Sequence, residues 1–427
     1  MLQPANLKHL AALTLFAASM SAGILVAAQS DTGSGQLVLV GGTVYADSTS
    51  APIRDGVVVI QAGRITAVGD RRSVQIPAGL RAVDCSGLTV TAGFWNSHVH
   101  FLQRKWAEAS TVPSSELTRQ MQVMLTQYGF TSVFDTWSIW ENTRQLRARV
   151  ESGEIAGPRI RSTGEAMFGP GQPIPPGQWS ALGFLRLEQF QLAAVGTADE
   201  AANASKKLLD RGVDGLKFYA ATPGIGSRVV AESAIAAGVK EAHDRGKLVF
   251  AHPSTNIGLL ASVRAGVDVL THTTPQSGPW DAALIAAMKQ ANVALIPTLK
   301  LWSYEIRHDR ASLADRFEDT AVDQLRAWNA VDGVVLFGTD VGYMSEYETA
   351  TEYALMSRAG MSWRRILESL TTAPARRFGA AKELGRVAPS SVADLVVLRG
   401  DPSITVRAFA EVAYTIRDGK IIYAGQR

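Results

Sequence analysis

The chain has 427 residues, 46% of them hydrophobic and 19% charged, with a formal net charge of +3. That composition buries a large core and excludes disorder as the main state. Its 42 basic and 39 acidic residues form no basic block and so leave no footprint for nucleic acid or an anionic membrane surface. A small-molecule partner remains the better reading and a homo-oligomer stays open. The length accommodates two or three ordinary domains, or one barrel of about 250 residues with a smaller unit attached.

Lys8 precedes an apolar stretch from Leu10 to Ala28 that is interrupted by Ser19, Ser21 and Gly23 and ends Val26-Ala27-Ala28 before Gln29. A charged start, a short apolar region and small residues ahead of a polar segment predict a secretory signal peptide over residues 1–28, cleaved after Ala28. The interruptions leave it short of the ~20 apolar residues that a spanning helix needs. The expectation is a secreted or periplasmic protein with no stable membrane insertion after cleavage. Cys85 is the only cysteine, so no intrachain disulfide can form.

From residue 36 to 90 the pattern is short and β-like: Leu37–Val40, Gly56–Ile60 and Arg64–Val68, separated by glycine-bearing turns. Residues 383–427 resume it with Ala393–Leu398, Val412–Ile416 and Lys420–Tyr423, the last two joined by Asp418-Gly419, a strong hairpin signal. Neither end can cover both faces of a sheet alone. The two are expected to combine into one small β-sandwich domain, with residues 91–382 inserted between its halves.

The middle has another rhythm. Helical stretches end in Gly or Asn and a β-branched or aromatic strand follows at once, with Gly129, Gly212, Gly246, Gly266, Asn292 and Gly333 at the junctions. A residue tolerant of left-handed φ followed by a buried strand is the αβ junction of a parallel sheet. With Thr91–Asn96 and Arg159–Thr163 the segments Thr131–Phe134, Gly215–Phe218, Leu248–Phe250, Val269–Leu270, Ala294–Ile296 and Val334–Phe337 make eight strands. Eight βα units favour an α/β fold of the TIM-like (β/α)8 barrel type. In the segment after the sixth of these strands, Leu284, Ile285 and Met288 follow the spacing of one apolar helical stripe.

Chemistry-bearing residues gather at the ends of these strands. His98 and His100 close the run that begins at Thr89, His252 ends Leu248-Val-Phe-Ala-His, His272 ends Val269-Leu-Thr-His, and Asp340 ends Val334-Val-Leu-Phe-Gly-Thr-Asp. Residues two apart on a strand share a face, so His98 and His100 can grip one ion, and His252 and His272 stand one βα unit apart at equivalent heights. Imidazole and carboxylate donors hold zinc and similar divalent ions. The eighth strand adjoins the first once a barrel closes, which would let Asp340 join the first pair. Lys217 lies inside an apolar strand, where burial lowers the amine's pKa. It reads either as a solvent-seeking or acid-paired lysine or as an amine that takes up carbon dioxide to form a carbamate bridging two metals.

The pattern Gly93-Phe-Trp-Asn-Ser-His-Val-His, Gly215-Leu-Lys-Phe, Val249-Phe-Ala-His, Leu270-Thr-His and Phe337-Gly-Thr-Asp, framed by a split β domain, resembles the amidohydrolase superfamily. The resemblance covers residues 36–427 and is strongest to the imidazolonepropionase-related branch that holds prolidase-like dipeptidases and carbamate hydrolases. It implies two divalent ions, with zinc the leading expectation: His98, His100 and Asp340 on one, His252 and His272 on the other, and carboxylated Lys217 between them. Two departures stand out, Asn96 and Thr271, where members of the family often carry acids.

The implied reaction is hydrolysis of a carbon–nitrogen bond, in an amide, peptide-like or cyclic amide, by a metal-activated water, with Asp340 as proton shuttle. An esterase or lactonase on the same site is the alternative, and a metal-bearing barrel that binds without turnover a third reading. Tyr219, two residues past Lys217, reads either as a donor to the developing oxyanion or as a rim aromatic. Trp137, Trp140, residues 167–179, Phe184, Trp302, Tyr304, Tyr343 and Tyr347 follow strand ends and suggest a substrate with an apolar or aromatic group. Arg228 and Lys300 read either as partners of a substrate carboxylate or as solvated charges.

Overall fold

Alternation along the first strands sorts their side chains onto two faces. Leu37, Leu39, Val58 and Ile60 enter one apolar cluster, whereas Val38, Val57 and Val59 enter another, as the period of two requires. The computed structural model of the chain describes residues 35–171, 193–221, 229–307 and 311–426. The expected signal segment, Trp179, Phe184 and Arg228 lie outside these residues. Among them no helix is long and apolar enough to cross a membrane.

The strands run, in chain order, β1 (Leu37–Val44), β2 (Ile53–Gln61), β3 (Arg64–Asp70), β4 (Arg81–Asp84), β5 (Thr89–Ala92) and β6 (Phe94–Val99). Then come β7 (Phe130–Asp135), β8 (Arg159–Ser162), β9 (Met167–Phe168), β10 (Ala193–Ala194), β11 (Gly215–Tyr219) and β12 (Leu248–His252). The remainder are β13 (Val269–Thr271), β14 (Ala294–Ile296), β15 (Val334–Val335), β16 (Leu395–Leu398), β17 (Val412–Arg417) and β18 (Lys420–Ala424).

Strands from both chain ends share one continuous eight-stranded sheet in the order β18-β17-β16-β5-β1-β2-β3, with β4 paired to β1. Asp418 and Gly419 both take positive φ in the β17–β18 turn, the conformation an Asp-Gly hairpin favours. One strand differs from the sequence reading. Thr91 and Ala92 belong to β5, paired with β16, and the first strand of the middle region is β6. The apolar run suits either sheet by pattern. Gly93 divides it, because a Cβ there would sit 2.2 Å from Thr131 Oγ1.

The middle region is parallel throughout: a three-stranded sheet β6-β7-β8 and a seven-stranded sheet β10-β9-β11-β12-β13-β14-β15. Strands β9 and β10 were not foreseen; each is only a residue pair within the connection after β8. Backbone bonds link the two sheets at both edges, from Asp214 to the Ser162 carbonyl (2.7 Å) and from Ser97 to the Phe337 carbonyl (2.7 Å). Trp95 and Phe134 from one sheet pack with Phe250, Val269, Ala294 and Ile296 from the other around Phe378. Each such buried ring or branched chain contributes roughly 1.5–3 kcal/mol.

Most expected junctions are left-handed as predicted: Gly129, Gly212, Gly246, Gly266 and Asn292 all have positive φ. At the last one the left-handed residue is Asp332 (φ 51°), not Gly333. The missing Cβ of Gly333 instead makes room for the Trp328 ring, 2.0 Å from where that atom would lie. The predicted stripe Leu284, Ile285 and Met288 falls in a helix over Ala282–Gln290, with Leu284 and Met288 buried.

Arg159 at the start of β8 bonds Asp394 (3.2 and 3.3 Å) and Asp418 of the chain-end sheet. Asp394 is buried, and burial raises its carboxyl above the usual value despite the guanidinium. Arg159→Ala should cost stability toward the low end of the ~3–5 kcal/mol expected when a buried pair loses one partner, since Arg159 is itself partly exposed. A protonated Asp394 needs no cation, so the deficit in melting temperature should narrow between about pH 7.5 and about pH 5. A deficit that is independent of pH would contradict this account.

Candidate metal centre

The end of β6 and the segment beyond β15 run side by side through backbone bonds from Asp340 to the His98 carbonyl (2.9 Å) and from His100 to the Val341 carbonyl (2.8 Å). This approach requires two glycines. A Cβ on Gly338 would meet Ile296 Cγ2 at 2.4 Å and His98 Cβ at 2.8 Å. On Gly342, whose φ is +99°, a Cβ would lie 1.8 Å from the His100 carbonyl oxygen. Asp340 between them is held at φ 60°, and His272 at φ 74°. Such strain in non-glycine residues gathers where the surrounding structure over-determines a site.

The result is a buried cluster. Asp340 Oδ1 lies 2.8 Å from His100 Nε2 and 3.2 Å from His98 Nε2, the two imidazole nitrogens are 3.1 Å apart, and His272 Nε2 is 3.8 Å from Asp340 Oδ2. The ring of His252 meets that of His272 with centroids 4.6 Å apart. His100 Nδ1 donates to the Trp137 carbonyl at 2.8 Å, which leaves the lone pair of a neutral ring at Nε2, facing Asp340. His272 Nδ1 is 2.5 Å from Thr298 Oγ1.

Burial lowers His98 to about 3 and pushes His252 and His272 well below the usual imidazole value. Burial alone would raise Asp340, but His98 and His100 hold it well below the usual carboxylate range. Neutral imidazoles and an ionised carboxylate are the protonation states that metal ligation needs. His98 Nδ1, His252 Nδ1 and Asp340 Oδ1 are buried without a hydrogen-bond donor or acceptor to match them. Lone pairs converging at about 3 Å repel unless a cation or proton lies between them, so the donor set fits a divalent ion.

Lys217 is completely buried, and burial lowers its amine to about 7, with Asp340 opposing. Its Nζ donates to Thr271 Oγ1 (2.6 Å), which passes a bond to the Ala251 carbonyl (3.0 Å). Thr271 therefore positions the lysine. Asn96 is comparably placed: its Oδ1 accepts from the His98 and Thr339 amides, both at 3.2 Å, and its Nδ2 donates to Thr339 Oγ1 at 2.6 Å. Both polar replacements tie ligand-bearing backbone together without adding charge.

The Amidohydrolase family model matches residues 89–422. The chain belongs to the amidohydrolase family. This amidohydrolase is similar to a protein from Bifidobacterium longum provisionally described as a prolidase, at 26% identity over 92% of this chain and 96% of that one, with a TM-score of 0.76. A Xaa-Pro dipeptidase with methionine in its active site shares the fold at 22% identity, covering 91% of this chain and all of that one, with a TM-score of 0.75. A dihydroorotase from Anaeromyxobacter sp. (strain K) is 27% identical over 82% of this chain and 86% of its own length. A 5-methylthioadenosine/S-adenosylhomocysteine deaminase from Symbiobacterium thermophilum is 41% identical over 66 residues, and the match spans only 15% of either chain.

Among the aromatic candidates, Tyr219 is stacked between Phe168 (centroids 4.4 Å) and His252 (4.6 Å), with Trp137 against its edge. Trp302 meets His272 edge-on at 6.4 Å and donates to Thr273 Oγ1 at 2.8 Å. Trp140 packs away from the cluster, its Nε1 donating to the Arg211 carbonyl at 2.9 Å. Tyr343 donates to Glu305, and Tyr347 to Gln103 Oε1 at 2.8 Å. Lys300 departs from the expectation of a free substrate cation. It is buried and bonds Glu348 Oε1 (2.5 Å) and the carbonyls of Glu346 and Glu348 (3.1 Å each). The acids that neutralise it lie far along the chain, beyond the reach of local pattern. The Trp137 carbonyl also escaped the sequence reading, since a backbone acceptor has no residue signature.

Gly342→Ala should lower stability by at least ~3 kcal/mol, combining the left-handed penalty with a backbone clash. Gly79→Ala, at φ +84° with open space around it, should cost only about 1 kcal/mol. Comparable melting temperatures for the two variants would show that strand approach at His100 does not depend on the glycine.

Proposed function

We propose that this amidohydrolase is an exported enzyme that hydrolyses a carbon–nitrogen bond in a small substrate at two divalent ions, zinc foremost. The mutual approach of His98 Nε2, His100 Nε2 and Asp340 Oδ1, all buried, carries this reading. His98, His100 and Asp340 would hold one ion, His252 and His272 the other, and Lys217, once carboxylated, would span them. The parallel strands β6, β7, β8 and β11 to β15 are inferred to close as a TIM-like barrel, supported by the backbone bonds at both sheet edges and the core shared between the sheets.

When bound, such ions lower the pKa of a shared water and polarise the substrate carbonyl. Asp340 takes the proton from the attacking water and passes it to the leaving nitrogen, so that one C–N bond breaks as one C–O bond forms. Thr271 steers the Lys217 amine, whose lowered pKa keeps it available in neutral form for carbon dioxide. For Tyr219 the stack with His252 supports the role of a rim aromatic that orients the imidazole. Trp137, Tyr219 and Trp302 border the histidine rings, Phe168 stacks on Tyr219, and together they favour a substrate with an apolar or aromatic group. The charged and apolar pattern of residues 1–28 supports export to the periplasm or the medium.

Elemental analysis should find about two ions per chain, with the mass of one carbon dioxide added to Lys217. One ion and an unmodified amine would overturn the binuclear form. Asp340→Asn should lower turnover ~100-fold or more while retaining metal; activity within a few-fold of the parent would remove Asp340 as proton shuttle. Lys217→Ala should lose most activity and regain part of it with acetate plus added metal, because a free carboxylate presents the same two oxygens as the carbamate. Full activity without acid would make the lysine purely structural. Xaa-Pro dipeptides and N-acyl amino acids compared with matched esters and lactones test the bond class. Turnover of the esters alone would refute the C–N assignment.

A further inference from the structure

We infer that Asp135, at the end of β7, is a positioning residue for the metal centre: its carboxylate clamps the backbone on both sides of the His100 contact and so sets the tautomer of that imidazole. The inference rests on the metal-binding reading above. Asp135 is completely buried. Its Oδ1 accepts the Phe101 amide at 3.4 Å, and its Oδ2 accepts the hydroxyls of Ser138 and of Ser162, the latter at 2.6 Å. Phe101 directly follows His100. Ser138 directly follows Trp137, whose carbonyl receives the His100 Nδ1 proton. One carboxylate therefore ties together the residue after the ligand and the residue after the ligand's acceptor.

Other bonds brace the same turn. The Thr136 amide donates to the Val99 carbonyl and the Ser138 amide to the Gly164 carbonyl, both at 3.1 Å, and the Ser138 and Thr143 hydroxyls are 2.6 Å apart. No ion pair to Asp135 occurs among the described residues, and burial raises its carboxyl above the usual value. A buried carboxylate without a cation is costly, and three converging donors are what hold it there. If the Trp137 carbonyl moves away, the ring proton is free to shift to Nε2, 2.8 Å from Asp340 Oδ1. That nitrogen then no longer offers a lone pair to an ion. Partners at the far nitrogen of a histidine ligand typically govern metal affinity by ~10–100-fold.

The test uses the full chain with 15N-labelled histidine. Imidazole 15N shifts in the metal-free protein should show His100 protonated at Nδ1, and in Asp135→Ala a substantial Nε2-protonated population. Zn2+ affinity by chelator competition should fall ~10–100-fold in Asp135→Ala. Asp135→Asn should restore both readouts, because its amide oxygen can accept from Phe101 while its NH2 donates to the serines. Ser162→Ala removes a bond to the same carboxylate on the side away from His100. It should lower the melting temperature but leave the tautomer unchanged and Zn2+ affinity within about threefold. If Asp135→Ala does not fold, Ser138→Ala replaces it and should shift both readouts where Ser162→Ala does not. A wild-type tautomer in Asp135→Ala, or equal effects of the Ser138 and Ser162 variants, would overturn the inference. Failure of the wild-type protein to bind Zn2+ would overturn the metal reading instead, and the tautomer comparison would still decide the role of Asp135.

Discussion

Everything at the centre depends on how closely the segment beyond β15 approaches the end of β6. The bonds from Asp340 to the His98 carbonyl and from His100 to the Val341 carbonyl pin the two chains at the height of the ligand side chains. Gly338 and Gly342 permit that spacing, because any Cβ would strike His98 or the His100 carbonyl. Directed by this seam, Asp340 reaches His98, His100 and His272 at once. A carboxylate about an ångström further out would meet none of them within hydrogen-bond distance.

Burial then turns geometry into chemistry. Withdrawn from water, the imidazoles of His98, His252 and His272 give up their protons and the lysine amine loses most of its preference for charge, while Asp340 stays ionised among them. The cluster pays for this with left-handed backbone at His272, Asp340 and Thr298, a conformation that the dense packing around it sustains. Neutral partners surround the cluster: Asn96, Thr271, Thr298 and the Trp137 carbonyl orient rings, lysine and backbone without adding charge.

Beyond the histidines and Asp340, aromatic rings border the cluster, and the polar tips of Trp302 and Tyr347 are engaged. Trp302 donates to Thr273, Tyr347 to Gln103, and the Tyr219 ring lies between Phe168 and His252. The connections after β14 and β15 are tied to each other by Glu352, which accepts the amides of Leu299 and Lys300, and by Lys300 itself, which is neutralised by Glu348. Lys300 is thereby committed to holding these connections in place and not to meeting a substrate charge.

Much of this was legible in the chain alone. The histidines at or just past strand ends, the parallel rhythm of helix, left-handed residue and buried strand, and the Asp418-Gly419 hairpin all follow from periodicities of two and 3.6 residues and from local turn chemistry, which short stretches of sequence carry in full, whereas Asp340, read as closing its strand, lies beyond β15, which ends at Val335. What the sequence left undecided is long-range. Thr89–Ala92 and Phe94–Val99 read as one apolar run, and only pairing with β16 assigns the first half to the chain-end sheet. Gly333 looked like a left-handed residue, but Trp328 had claimed its space and Asp332 takes the turn. The partner of His100 is a backbone carbonyl, and the partners of Lys300 and Lys217 lie dozens of residues away. The candidate donor residues follow from residue type and local spacing, whereas tautomer, charge pairing and strand approach depend on which distant atoms share a few ångströms, and only the folded chain settles that.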